Sequence, residues 1–151
     1  MTSSQAASAF IHTGSGFDAI DVSQVGGTNV LDGGTNSNFL VGGTGANSFD
    51  TFFVDDRNPA ADIWTTVNGF HAGDDATVFG IVPDGSNIQW ADNEGAAGFT
   101  GLTLHLSTPN QPNASLTLAG YSTADLGSGR LNFAFGNEPD GTPFMHIVAK
   151  A

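Results

Sequence analysis

Cysteine is absent from the chain, so neither a disulfide nor a thiolate metal site can be built. Basic residues are nearly absent as well: three Lys and Arg stand against fifteen Asp and Glu, a formal net charge of −12. Phosphate polyanions are neutralised by Lys and Arg, so nucleic acid and an anionic membrane surface are poor partners, and no nucleic acid is expected. No apolar run approaches the length of a membrane helix, so no transmembrane segment is expected. The start, MTSSQAASAF, has no basic n-region and no apolar h-region, which excludes a secretory signal peptide there. Two readings of that absence stay open: export without a cleaved N-terminal signal, or a piece of a longer chain.

Catalytic spacing is also missing. His12, His71, His105 and His146 lie far apart, with no H-E-x-x-H, and no G-x-S-x-G elbow occurs. Asp74 with Asp75, and Asp92 with Glu94, resemble carboxylate pairs, but both fall in expected turns where solvated acids are ordinary. The chain is therefore read as not an enzyme. Trp64, Trp90 and Tyr121 are the residues that would stack on a sugar; core or rim packing is the alternative for the two tryptophans.

What the chain does have is glycine, 21 of 151 residues, much of it between Gly14 and Gly45. Hydrophobic residues make up 39%, with twelve Phe, enough for the core of one domain. The glycines recur in a nine-residue frame. GGTNSNFLV (Gly33 to Val41) runs directly into GGTGANSFD (Gly42 to Asp50), and QVGGTNVLD (Gln24 to Asp32) keeps the frame backwards. After an interruption at Val22 and Ser23, TGSGFDAID (Thr13 to Asp21) supplies the fullest copy. A linker does not place Leu and Phe at a fixed period, so these are structural repeats.

The frame resembles G-G-x-G-x-D-x-U-x, the repeat of the RTX family of calcium-binding β-roll proteins. That resemblance implies a parallel coil in which two nonapeptides make one turn. Glycine-turn carbonyls and the sixth side chain face a calcium ion, and the eighth side chain points inward. The inward set would be Ile20, Leu31, Leu40 and Phe49. The implied calcium ligands are Asp18, Asn29, Asn38, Asn47 and Asp50, with carbonyls from Gly14, Gly16, Gly33 and Gly42. Loop Thr13–Asp18 would face Gly33–Asn38, and Gln24–Asn29 would face Gly42–Asn47. A second alignment makes Asp50 the sixth residue and Phe52 the inward one, and both alignments stay open. Asparagine at three sixth positions offers oxygen without charge, which implies weak binding or an asparagine ladder that holds the coil without metal.

Beyond Asp56 the chain reads as short alternating strands. ADIWTTVNGFHAGDDATVFGI is strand, turn, strand around HAGDD, a form similar to stretches that follow β-rolls in RTX proteins. NIQWAD is a strand and NEGAAG a turn. GLTLHLS points Leu102, Leu104 and Leu106 inward, ASLTLAG Leu116 and Leu118, and RLNFAF Leu131, Phe133 and Phe135. TPNQPN and EPDGTP are turns, STADLG one helical turn capped by Ser122 or Thr123, and FMHIVA the last strand. The expected fold is all-β, a short parallel β-roll continuing into an antiparallel β-sandwich. Its parts are an arm or cap at 1–12, the roll at 13–56 and a C-terminal cap at 57–151.

The resemblance implies an extracellular or cell-surface, calcium-binding, non-catalytic module exported by a type I system that reads a C-terminal segment, here Ser128 to Ala151. Two alternatives stand beside it. One is a structural protein that self-assembles into a homo-oligomer, filament or surface layer; the other is an adhesion module for a polysaccharide or a surface.

Overall fold

Each short apolar run of the repeat becomes one strand of a coil that alternates between two sheets. β1 (Phe10–His12), β3 (Thr28–Asp32), β5 (Phe49–Asp55) and β7 (Asp75–Phe79) lie in one sheet. β2 (Asp18–Asp21), β4 (Asn38–Val41) and β6 (Ile63–Asn68) lie in the other. All pairings within these two sets are parallel. The computed structural model describes residues 8–57, 60–81, 87–107 and 109–151. The arm expected at the N-terminus lies outside them up to residue 7, as does Thr108 of the TPNQPN turn.

The coil does not end at Asp56. β5 pairs in parallel with β7, and β6 with β10 (Ala114–Ala119), before the chain turns antiparallel. HAGDD therefore does not close a hairpin: β6 and β7 belong to different sheets, and the turn carries the chain across the core. β8 (Ile88–Ala96), β9 (Phe99–Leu106) and β10 then meander antiparallel in the second sheet. After the helical turn α1 (Thr123–Ser128), β11 (Leu131–Asn137) and β12 (Pro143–Ala149) complete the first sheet. The result is two six-stranded mixed sheets face to face. The parallel roll and the antiparallel sandwich share one buried cluster, from Ile20 and Leu40 through Phe52 to Leu104 and Ile147.

Inward alternation holds for Ile20, Leu31, Leu40, Leu102, Leu104, Leu106, Leu116, Leu118 and Leu131. Three residues differ. Phe49 is 48% exposed, whereas Phe52 is fully buried, because Leu31 pairs with Phe52. The stretch before Phe52 is three residues longer than the nine-residue frame, which moves the slot from Asn47 to Asp50. Phe133 and Phe135 of β11 are also exposed. β11 is an edge strand, so its aromatics lie against the rim, Phe133 on Trp90 at 5.5 Å and Phe135 on Phe133 at 6.0 Å.

Of the expected turn NEGAAG only Ala97 and Gly98 turn; the residues from Asn93 to Ala96 are the second half of β8. That strand stays paired across a bulge between Ala91 and Glu94, where Asn93 takes φ 63°. One extra residue reverses the facing of everything after it. Asp92 is thereby freed to accept hydrogen bonds from Thr123 N and Oγ1, both 2.7 Å, at the start of α1.

The register at β5 is open to test by denaturant unfolding. Phe52→Ala should lose about 3–5 kcal/mol, the cost of emptying a buried aromatic site. Phe49→Ala should lose under about 1 kcal/mol, as surface changes do. Equal losses would return Phe49 to the core.

Candidate metal rungs and an outer-face groove

Sixth-position residues stack directly on one another, in two columns at opposite edges of the coil. Asp18 pairs with Asn38 at the start of the second sheet's strands. Asn29 pairs with Asp50 at the start of the first sheet's, and Asp74 follows in the next rung. The backbone N–H of Ala9 donates to Asn29 Oδ1 (2.9 Å), that of Asp18 to Asn38 Oδ1 (3.2 Å) and that of Asp50 to Asp74 Oδ1 (2.8 Å). In each case the side chain of one rung holds the same slot of the rung before it.

Hydrogen bonds occupy the oxygens of the Asn29 column. Asp50 accepts from Asn29 Nδ2 (2.6 Å), from the Gly43 N–H (2.6 Å) and from Ser48 Oγ (3.3 Å). Asp74 also accepts from the His71 N–H (2.9 Å), and His71 Nδ1 lies 2.8 Å from Asp74 Oδ2 outside hydrogen-bond geometry. Asn29, Asp50 and Asp74 are all buried. Gly42 leaves room here, since a Cβ on it would stand 2.8 Å from Asp50 Oδ2. A cation would have to displace these donors, so this column does not fit calcium.

The Asp18 turn is different. Asp18 Oδ2 is buried with no hydrogen-bond partner, an oxygen free to take a cation. Its surroundings are partly closed, however. Asn38 turns its Oδ1 to the Asp18 N–H and its Nδ2 to the Asn36 carbonyl, and Asn36 Nδ2 donates to the Ser15 carbonyl. Across the coil Thr44 Oγ1 likewise donates to the Ser23 carbonyl (3.1 Å). Gly34 (φ 74°) sits so close to Gly14 that a Cβ would stand 2.0 Å from its carbonyl oxygen. A Cβ on Gly33 would strike Asn38, and one on Gly16 would touch Asp18. Asn47 lies exposed in the loop, outside both columns. Among the described residues, no three His, Cys, Asp or Glu side chains converge as a metal site.

Two buried acids are perturbed. Burial pushes Asp74 up to about 6, against the opposing hydrogen bonds from Asp50 and His71. Burial, with Asp55 beside it, pushes Asp56 up to about 7, and Asp56 Oδ1 has no partner.

The expected aromatic platform does not assemble. Trp90 packs on Phe133, and Tyr121 on Phe70 (5.9 Å) with Arg130 over its ring (5.6 Å). Trp64 alone stands on the outer face of the second sheet, 40% exposed. Its Nε1 donates to Thr117 Oγ1 (2.9 Å), which bonds Thr103 Oγ1 (2.8 Å). Beside it His105 stands perpendicular at 5.5 Å, Nδ1 on Ser115 Oγ (2.8 Å) and Nε2 on Glu94 Oε2 (2.5 Å). The β8 bulge puts Glu94 on this face. Ser115 is the second residue of β10, paired with Trp64 on one side and with His105 on the other. The Ser–His–Glu row holds the His105 ring at both nitrogens. It borders a cavity of about 550 Å³.

Sequence reasoning weighed His105 and Glu94 only in other groupings and did not single out Ser115. Alternation in GLTLHLS and ASLTLAG turns His105 and Ser115 outward, and the turn between them pairs these two strands; the pairing with Trp64 is parallel and has no local signal. No protein-family model matches the chain, and comparisons with curated proteins and with solved structures return no match.

Asp56 supplies a pH test. With its native value near 7 and an unfolded value of 3.8, the native state holds a proton that the unfolded chain has released. Its contribution to stability is full below pH 3.8 and is lost as pH rises through about 7. Thermal melts should show Asp56→Asn more stable than the parent above pH 7, with the gap closing towards pH 4. A gap that does not change with pH would put the proton elsewhere.

Proposed function

We propose that the chain is a secreted, non-catalytic β-roll module of RTX type, in which side-chain ladders hold most of the coil and calcium acts at one turn. The observation that carries this reading is the stacking of Asp18 on Asn38 while Asp18 keeps a free buried oxygen. When bound, calcium supplies charge compensation for that carboxylate. Asp18 would hold it, with turn carbonyls of Gly14 and Gly16 as the neutral partners. Because binding favours only the folded coil, calcium would raise stability by mass action. One charged side chain sets a weak site, about 10⁻⁴–10⁻³ M, suited to extracellular calcium. Export would follow the type I route, with the segment from Ser128 to Ala151 as its signal; here that segment is mostly β11 and β12. An acidic chain without cysteine suits this reading.

Melting curves over a calcium titration test it, with chelator as baseline and magnesium as control. The melting temperature should rise in the millimolar range, and Asp18→Ala should abolish the rise. Asp50→Asn should lower the melt equally with and without calcium, because its partners are protein donors. An identical melt in chelator and calcium would make the whole coil metal-free.

Self-assembly is the second reading, favoured by the first rung. Phe10 on edge strand β1 is 74% exposed, and Phe17 just before edge strand β2 is 86% exposed. Parallel edges with aromatic neighbours invite another chain. Light scattering should show that a Phe10→Ser, Phe17→Ser double variant is monomeric and the parent larger. A monomeric parent would dismiss this reading.

A further inference from the structure

We propose that the groove beside Trp64 binds a neutral pyranose unit of a polysaccharide. The inference goes beyond the calcium reading and does not depend on it, since the groove lies on the outer face of the second sheet. Its volume, about 550 Å³, falls within the ~300–1,000 Å³ of small-molecule sites. Its lining pairs one exposed indole with planar or hydroxyl-bearing polar groups: Asp62, Gln89, His105, Asn113 and Ser115. A pyranose has one apolar C–H face, which suits an indole, and a rim of hydroxyls, which suits amides, carboxylates and imidazole. An apolar wall with a few convergent polar groups is the general pattern of a specific pocket.

The wall is also preorganised. The Trp64 ring is fixed by its bond to Thr117, and the His105 ring is fixed at both nitrogens by Ser115 and Glu94. Side chains already ordered lose little freedom on binding, which keeps affinity for a small ligand. Asp62 Oδ1 accepts the Asn113 N–H (2.8 Å) at the groove's end, with the residue itself exposed.

Charge selects the ligand class. Among the described residues no Lys or Arg lines the groove, Asp62 does, and Glu94 lies behind His105. With the chain at −12, uronic acids, sulfated sugars and phosphosugars are repelled. A neutral sugar meets no such barrier.

Affinity electrophoresis in native gels containing laminarin, yeast mannan, xylan or galactan tests the proposal. Alginate serves as the anionic control, and each gel is run in chelator and in calcium. At least one neutral polymer should retard the protein, alginate should not, and retardation should survive in chelator. Trp64→Ala or Gln89→Ala should weaken it by about tenfold or more, the loss of one good contact. Gln89 is exposed, so its variant decides the matter if Trp64→Ala does not fold. In a Trp90→Phe background Trp64 is the one remaining indole, and its emission should shift on titration with the retarding polymer. No retardation by any neutral polymer would overturn the proposal. So would retardation unchanged in both folded variants, or strongest with alginate. A protein that loses its calcium response but keeps this retardation would sink the calcium reading alone.

Discussion

The coil depends on one contact repeated at three of its rungs: a side-chain oxygen at the start of a strand accepting the backbone N–H of the same slot one rung earlier. Asn29, Asn38 and Asp74 all do this, to Ala9, Asp18 and Asp50. The constraint behind it is elementary. Tight glycine turns leave backbone N–H groups at strand starts with no ladder partner, and a buried donor without an acceptor costs about 1–3 kcal/mol. A short side chain with an oxygen three bonds from Cα, as in Asn and Asp, reaches the neighbouring rung. Asparagine performs this task without a counter-charge, so the slots need no ion to be satisfied. Where aspartate remains, the structure either surrounds it with donors, as at Asp50, or leaves one oxygen free, as at Asp18.

The ladder fixes the register, and the register builds the core. Pairing Asn29 with Asp50 places Leu31 over Phe52, and pairing Asp18 with Asn38 places Ile20 over Leu40. A shift by one residue would send each of these side chains to solvent. The antiparallel half grows on this coil without a seam. β10 adds to β6 and β12 adds to β7, so the last coil strands are inner strands rather than exposed edges. The cap completes a coil too short to bury its own apolar faces.

On the outer face of the second sheet the same regularity has a different use. Alternation turns Trp64, Ser115 and His105 outward in one row across three strands, and a single bulge brings Glu94 to meet them. One extra residue in β8 thus serves two places, freeing Asp92 to hold α1 and aiming Glu94 at His105. The groove beside this row combines a fixed indole with fixed polar groups, which a flexible loop would not offer.

Much of this was legible in the residues alone. The nine-residue period announced a coil, because only a repeated turn spaces Leu31 and Leu40 so regularly. Alternation announced the later strands and the buried leucines of β9 and β10, and the Ser122 or Thr123 cap announced the helical turn. These are local signals, set by backbone geometry and by which side of a strand faces water. Tertiary structure decided the rest. It chose Asp50 over Asn47, because the longer turn satisfies a carboxylate with Gly43 and Ser48. It exposed Phe133 and Phe135, because alternation cannot tell an edge strand from a central one. It joined Trp64 to Ser115 and His105 across a parallel pair some fifty residues apart in sequence. Parallel pairing leaves no local trace, since the turn that would reveal a neighbour is replaced by a long crossover through the rest of the chain.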